Sequence, residues 1–229
     1  RRAWLTAIAF GVALGLMNFT FYSSLAHLPI GVAVTIEFIG PLSLAAALSR
    51  RWLDAVPVAA AAAGVVLISQ ALSTPFADLE KTGIALALLA GAFWAAYIVL
   101  AGRTGGEFPK LEGLALAMVV ATVVTLPLGI TSAPSWSPDI LLKAFGIAVL
   151  SSVLPYSLEL LALRRLSAKV FGILLSLEPA FAALAGATVL RPVLSPNQLV
   201  GRALVVAASA LVLGLGARQR PDPAEAASP

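Results

Sequence analysis

Three glutamates stand in stretches otherwise too apolar to hold a charge: Glu37, Glu159 and Glu178. Each has a proline beside it, with Pro41 four residues after Glu37, Pro155 four before Glu159, and Pro179 directly after Glu178. A carboxylate at mid-membrane depth costs roughly 2.5–3.5 kcal/mol on insertion scales, so it faces a cavity or a partner and has a function there. Proline removes a backbone donor and crowds the carbonyl four residues back, which loosens the helix next to the acid. The chemistry on offer is reversible: an unpaired buried carboxylate takes up a proton, and an ionised one takes an ammonium group. Pro41, Pro155 and Pro179 are the candidate hinges, although static bundles contain proline kinks too.

Glu37 is the first choice for the proton-linked or ammonium-binding group, because it sits near the middle of the apolar run 28–47 and has no basic neighbour in sequence. Glu159 lies about a turn from Arg164-Arg165, so a structural salt bridge competes with proton binding there. Four further side chains are candidates to line the same site. Asn18 caps a polar group of the substrate or makes an interhelix hydrogen bond. Trp94 and Tyr97, three apart and therefore on one helix face, lie against the substrate's alkyl part or ammonium, or simply pack in the bundle. Tyr156 stands between Pro155 and Glu159. His27, the single histidine, reads as a solvated loop residue or as a proton relay.

The elements that must carry these residues follow from composition. The chain is 60% hydrophobic and 11% charged, against about 25% charge in a soluble domain, so it cannot cover itself with a wettable surface. Apolar segments at 4–25, 30–49, 55–72, 82–102, 111–130, 140–163, 168–189 and 197–216 each approach the roughly 20 residues that span a bilayer. The reading is an all-α polytopic membrane helix bundle with eight transmembrane helices. Arginines and lysines crowd one set of helix ends (Arg1, Arg2, Arg50, Arg51, Arg103, Lys110, Arg164, Arg165, Lys169, Arg218, Arg220), leaving Lys81, Lys143, Arg191 and Arg202 for the other. That bias places the first set, and both termini, in the cytoplasm. It also accounts for the net charge of +4 without a nucleic-acid partner.

Gly11-xxx-Gly15 lets a second helix approach closely. Gly102 to Gly113 is expected to be a flexible connection, residues 73–81 a loop with exposed acids, and Pro138-Asp139 a helix start. The last residues, from Arg218, are expected to be disordered. With no cysteine and one histidine, metal and thiolate chemistry is not expected, and no cofactor is called for. An intramembrane enzyme would need a nucleophile paired with a base, and no such pair stands at helical spacing. A passive scaffold, with glutamates that only pair with arginines, explains Glu159 better than Glu37.

The chain also repeats. Setting Leu28-Pro29-Ile30-Gly31-Val32 over Leu166-Ser167-Ala168-Lys169-Val170 brings Pro41 onto Pro179 without a gap, an offset of 138 residues. Helices one to three then correspond to helices six to eight. An offset of five helices is odd, so the copies are opposite in orientation, as in secondary transporters whose site lies near the midplane.

The runs Met17-Asn18-Phe19, Phe21-Tyr22, Pro29-Ile30-Gly31-Val32-Ala33-Val34, Glu37-Phe38-Ile39-Gly40-Pro41-Leu42, Ala92-Phe93-Trp94-Ala95-Ala96-Tyr97, Leu154-Pro155-Tyr156-Ser157-Leu158-Glu159 and Leu177-Glu178-Pro179-Ala180 resemble the EamA-type branch of the drug/metabolite transporter superfamily. The resemblance implies ten helices in two inverted five-helix repeats, of which this chain holds three and five, with two more helices before the point where it begins. Residues 1–102 would be the remainder of the first repeat plus the first helix of the second, 103–216 the rest of the second, and 217–229 a cytoplasmic tail. It further implies export of small amino acids such as threonine and homoserine across the bacterial inner membrane, driven by the proton gradient. Another metabolite or a cationic drug is the alternative cargo. The implied partners are the amino acid, the proton and the bilayer, with a homo-oligomer left open. Arg191-Pro192 replaces the Gly-Glu usual in the family at that point.

Overall fold

The computed structural model describes residues 2–49, 52–69, 75, 79–132, 136–175, 177 and 196–217. Helix is the only regular structure among them, as a chain this apolar requires: in hydrocarbon each backbone N–H and C=O must find its partner within its own segment. In order these are α1 (Arg2–Ser24), α2 (Ile30–Ala47), α3 (Trp52–Ser69), α4 (Lys81–Glu107), α5 (Glu112–Ser132), α6 (Pro138–Ala148), a π-helical turn (Val149–Val153), α7 (Leu154–Leu163), α8 (Ala168–Leu175) and α9 (Pro196–Ala217). The stretches Arg2–Ser24, Ile30–Ala47, Lys81–Glu107 and Pro138–Leu163 are each long and apolar enough to cross a membrane; Ala55–Ser69 and Glu112–Pro127 are shorter apolar helices. Large apolar side chains such as Trp4, Leu88, Val119, Phe145 and Leu158 face outward, the surface a lipid-embedded bundle presents. Glu178, Pro179, Arg191-Pro192 and the tail from 218 lie outside the described residues.

The bundle is built on α4, which packs against α1, α2, α5, α7 and α8. Ala87, Ala90, Trp94, Tyr97 and Ala101 follow one another at three- and four-residue steps along it and are buried, the inward-facing stripe expected of a central helix. Two close crossings set the geometry. At Gly11 an added methyl would run into the Ala117 carbonyl of α5 and the Val120 side chain, and at Gly15 into Ala121, so the spacing Gly11-xxx-Gly15 serves the close approach it suggests. At Gly40 it would strike the Gly91 carbonyl of α4, and at Gly91 the Glu37 carbonyl.

That second crossing explains why α2 runs unbroken through Pro41, where the sequence suggests an interrupted helix. The Glu37 carbonyl, deprived of its helical N–H by Pro41, lies directly against Gly91. A Cα–H group is a weak donor to a carbonyl oxygen, and such close approaches recur where helices touch. Pro155 behaves differently: it follows the π-helical turn, which absorbs an extra residue upstream of the missing N–H. The Ser157 hydroxyl donates to the Val153 carbonyl at 2.6 Å.

One expected loop is mostly helix. Glycine content points to a connection from 102 to 113, whereas α4 continues to Glu107 and the turn occupies only 108–111. Tertiary packing overrides propensity here: the aliphatic stem of Arg164 covers Gly105 and Thr104 is fully buried. The chain reverses at Lys110, whose φ of 47 is left-handed. The start of α6 is as expected, with Ser137 capping by accepting from the Ile140 N–H at 3.3 Å and Asp139 pairing with Lys143 at 2.7 Å. The 138-residue offset persists in the helix bounds. Ile30 and Ala168 begin α2 and α8, 138 apart, and Ser24 and Leu163 end α1 and α7, 139 apart.

Candidate substrate and proton site

Four helices deliver the candidate residues to one place. On α4, Tyr97 is fully buried and Trp94 9% exposed; on α2, Glu37 is 8% exposed; Asn18 of α1 and Tyr156 and Glu159 of α7 are half-buried. The Tyr97 hydroxyl donates to Glu159 Oε2 at 2.5 Å. The Tyr97 and Tyr156 rings lie 5.7 Å apart at a tilt of 55°, and Tyr97 also meets Phe10 at 5.4 Å. Asn18 Nδ2 donates both to the Leu14 carbonyl of its own helix, at 3.0 Å, and to the Tyr156 hydroxyl, at 3.1 Å. Trp94 is met edge-on by Phe38 at 4.9 Å. Glu37, Glu159 and the Tyr22 phenol all lie close enough to the Tyr156 hydroxyl to act on it electrostatically.

The local sequence accounts for these placements. Trp94 and Tyr97 share a face of α4 because they are three apart, and that face is turned inward by the buried alanines on either side. Tyr156 and Glu159 are likewise three apart on α7, so one turn presents a phenol and a carboxylate together. Glu37 is brought inward with Phe38 and Ala33 by the close α2–α4 crossing. Arg164, one candidate partner for Glu159 in the sequence, instead donates from Nη1 to the Lys110 carbonyl at 3.1 Å.

Chemically the cluster contains what a zwitterion needs. Two carboxylates suit an ammonium group, while the Asn18 amide, the Tyr156 hydroxyl and the Trp94 indole supply donors for a carboxylate. The rings of Phe10, Tyr97 and Tyr156 pack against one another beside them. No group of three or more His, Cys, Asp or Glu able to hold a metal occurs among the described residues. Glu178 and Pro179 lie outside those residues, so only two of the three acids are located. Phe10, Phe38 and Tyr22 join the cluster without having been site candidates; Phe38 and Tyr22 stand in the runs that carry the family resemblance, whereas Phe10 has no such signal.

Two polar contacts lie away from the cluster. His27 Nδ1 and Glu80 Oε2 are 2.7 Å apart, with side chains 35% and 64% exposed, so the loop histidine ties the α1–α2 connection to the start of α4. Thr35 and Ser69 hydroxyls meet at 2.5 Å and join α2 to α3. A pocket of about 610 Å³ opens at the end of α7, lined by Leu161, Ala162, Arg164 and Arg165; none of the cluster's residues lines it.

Comparison with known proteins agrees with this architecture. Residues 81–214 match the model of the EamA-like transporter family. The chain is 40% identical over 207 residues to the threonine/homoserine exporter RhtA of Escherichia coli strain K12, covering 90% of this chain and 70% of that protein. It is 39% identical over the same length to the RhtA exporter of Salmonella typhimurium strain LT2, with the same coverage. A solved structure titled only as the crystal structure of a protein superposes with a TM-score of 0.71 at 20% identity, over 94% of this chain and 76% of the other, a likeness of fold. The chain is thus an all-helical membrane protein that belongs to the EamA-like transporter family.

Proposed function

We propose that the protein exports small amino acids of the threonine and homoserine type across the bacterial inner membrane, in exchange for protons. The observation that carries this reading is the Tyr97–Glu159 and Asn18–Tyr156 network: oriented carboxylate and donor groups meeting inside an apolar bundle, beside a second buried acid, Glu37. The similarity to exporters that bear those two amino acids in their name supports the cargo.

In this mechanism Glu37 is the proton-linked carboxylate and Glu159, held by Tyr97, orients the substrate. The ammonium group of the cargo and a proton compete for the same negative charge, so loading one releases the other. Asn18, Tyr156 and Trp94 receive the cargo's carboxylate and side-chain hydroxyl. The π-helical turn and Pro155, with Pro41 and Pro179, are the places where helices yield as the cavity opens to alternate sides. The basic helix ends put both termini of this chain in the cytoplasm. Residues 1–102 comprise the remainder of the first repeat plus the first helix of the second, and 103–216 the rest of the second. Transport rather than catalysis fits the cluster, which offers carboxylates, phenols and an amide.

The test is efflux of preloaded labelled threonine and homoserine from proteoliposomes, with and without a pH gradient. Gradient-dependent efflux that Glu37→Gln removes is the expected result. Efflux of neither amino acid by the unaltered protein would refute the cargo, and an unimpaired Glu37→Gln would refute the proton role.

A further inference from the structure

Asn18 and Tyr156, the two ends of the hydrogen bond that joins α1 to α7, are 138 residues apart. That is the offset at which the sequence repeats and at which α2 and α8 begin. Under a two-fold relation each residue is carried onto its counterpart 138 further on. A residue can touch its own counterpart only where both reach the rotation axis. The Asn18–Tyr156 bond satisfies that condition.

The backbone makes the point sharper. No Cα atom of α1 comes within 8 Å of one in α7 among the described residues, so the amide and the phenol reach each other from two helices whose backbones are not in close contact. One turn further on, the symmetry fails: the counterpart of Glu159 is Phe21, and that of Tyr22 is Leu160. The carboxylate therefore lies on one side of the axis only.

We infer that the Asn18–Tyr156 hydrogen bond marks the pseudo-two-fold axis and is the fixed contact of the transport cycle, presented alike to substrate arriving from either face, while Glu159 serves one face more than the other. When inverted repeats exchange conformations, points off the axis change their environment and points on it keep theirs. Asn18 and Tyr156 are thereby positioning residues common to both open states. This inference rests on the transport reading above.

The experiment uses the full-length protein in proteoliposomes and labelled threonine, with exchange measured from each face. Four variants suffice: Asn18→Tyr, Tyr156→Asn, the double exchange of the two, and Glu159→Gln. Each single change is expected to raise the apparent KM by the same factor on both faces, about three- to tenfold, the loss of one net hydrogen bond. The double exchange puts the phenol and the amide back on the axis with partners reversed, and is expected to return KM to within about twofold of the parent. Glu159→Gln is expected to change KM unequally on the two faces. A double exchange no better than the worse single variant, or single-variant effects confined to one face, would overturn the assignment; a purely structural bond would lower the amount of folded protein without equal KM shifts. If the parent carries neither threonine nor homoserine, the cargo reading is what fails. The axis is then judged by the melting temperatures of the same purified proteins, where the double exchange must recover the loss seen in both singles or the inference falls.

Discussion

The offset of 138 residues pairs α1 with the rod formed by α6, the π-helical turn and α7, and the two could hardly be treated more differently by the fold. In α1, 44% of the most apolar window is buried, and in the rod, 11%. The first is a regular helix clamped between α4 and α5. The second carries a π-helical turn and a proline, and α6 has no buried residue. Within this chain, equal positions of the repeat thus differ in their neighbours, and the π-helical turn and Pro155 mark where the rod's helical ladder is weakened.

The contrast is most easily broken at two phenylalanines, one in each helix. Phe10 is fully buried in α1 and Phe145 is 68% exposed in the rod. Since lipid tails are as apolar as a core, truncation costs mainly the cavity, roughly 2–3 kcal/mol at the measured rate per unit volume. Phe10→Ala should therefore lower the melting temperature of the purified protein sharply and Phe145→Ala hardly at all. A similar loss at both sites would mean that the rod is packed in the working protein.

Glycines give the next largest effect. Gly11→Leu drives a side chain into the α5 backbone and should cost about 1–3 kcal/mol as overpacking, read as reduced folded yield. Gly146 in α6 has nothing within 4 Å of an added Cβ, so Gly146→Ala should be stabilising by about 0.5–1 kcal/mol through helix propensity.

Pro155→Ala sharpens the comparison from the other side. Restoring an N–H to the rod should leave the melting temperature equal or higher while slowing exchange, because its helical ladder becomes continuous like that of α1. Faster exchange would show that the proline is structural. The smallest effect is expected at Ser157→Ala, which removes the hydroxyl bond to the Val153 carbonyl and should cost about 0.5–1.5 kcal/mol. The corresponding measurement is the protection of the rod's amides against hydrogen exchange.

The sequence makes the spans legible because length and apolarity are local properties. It also makes the Gly11-xxx-Gly15 interface and the Ser137 cap legible, since each needs only a few adjacent residues. Tyr97–Glu159 and Asn18–Tyr156 join residues 62 and 138 apart, and no local pattern gives the depth at which two helices meet. The π-helical turn is not legible because Val149–Val153 carries no residue that demands one; it follows from Pro155 only once the helix is built. The continuation of α4 past Gly102 was hidden for a related reason: the Arg164 stem that covers Gly105 comes from a remote helix. Pro41 taught the reverse, since a residue that breaks helices in isolation is accommodated by the bare backbone of Gly91.

The length of the rod has a consequence for where the protein works best. Its 26 residues extend about 39 Å at 1.5 Å per residue, against a hydrocarbon layer of about 30 Å, so it must lean within the bilayer. Central α4 is nearly as long, with 27 residues, but is gripped by five neighbours and cannot change its lean without carrying the bundle with it. Among the described residues the rod meets α4, α5 and α8 through α7 alone. Thicker membranes would draw it upright and thinner ones would lay it over, in each case turning it about the Asn18–Tyr156 bond, so that acyl-chain length becomes a setting on the rate of exchange.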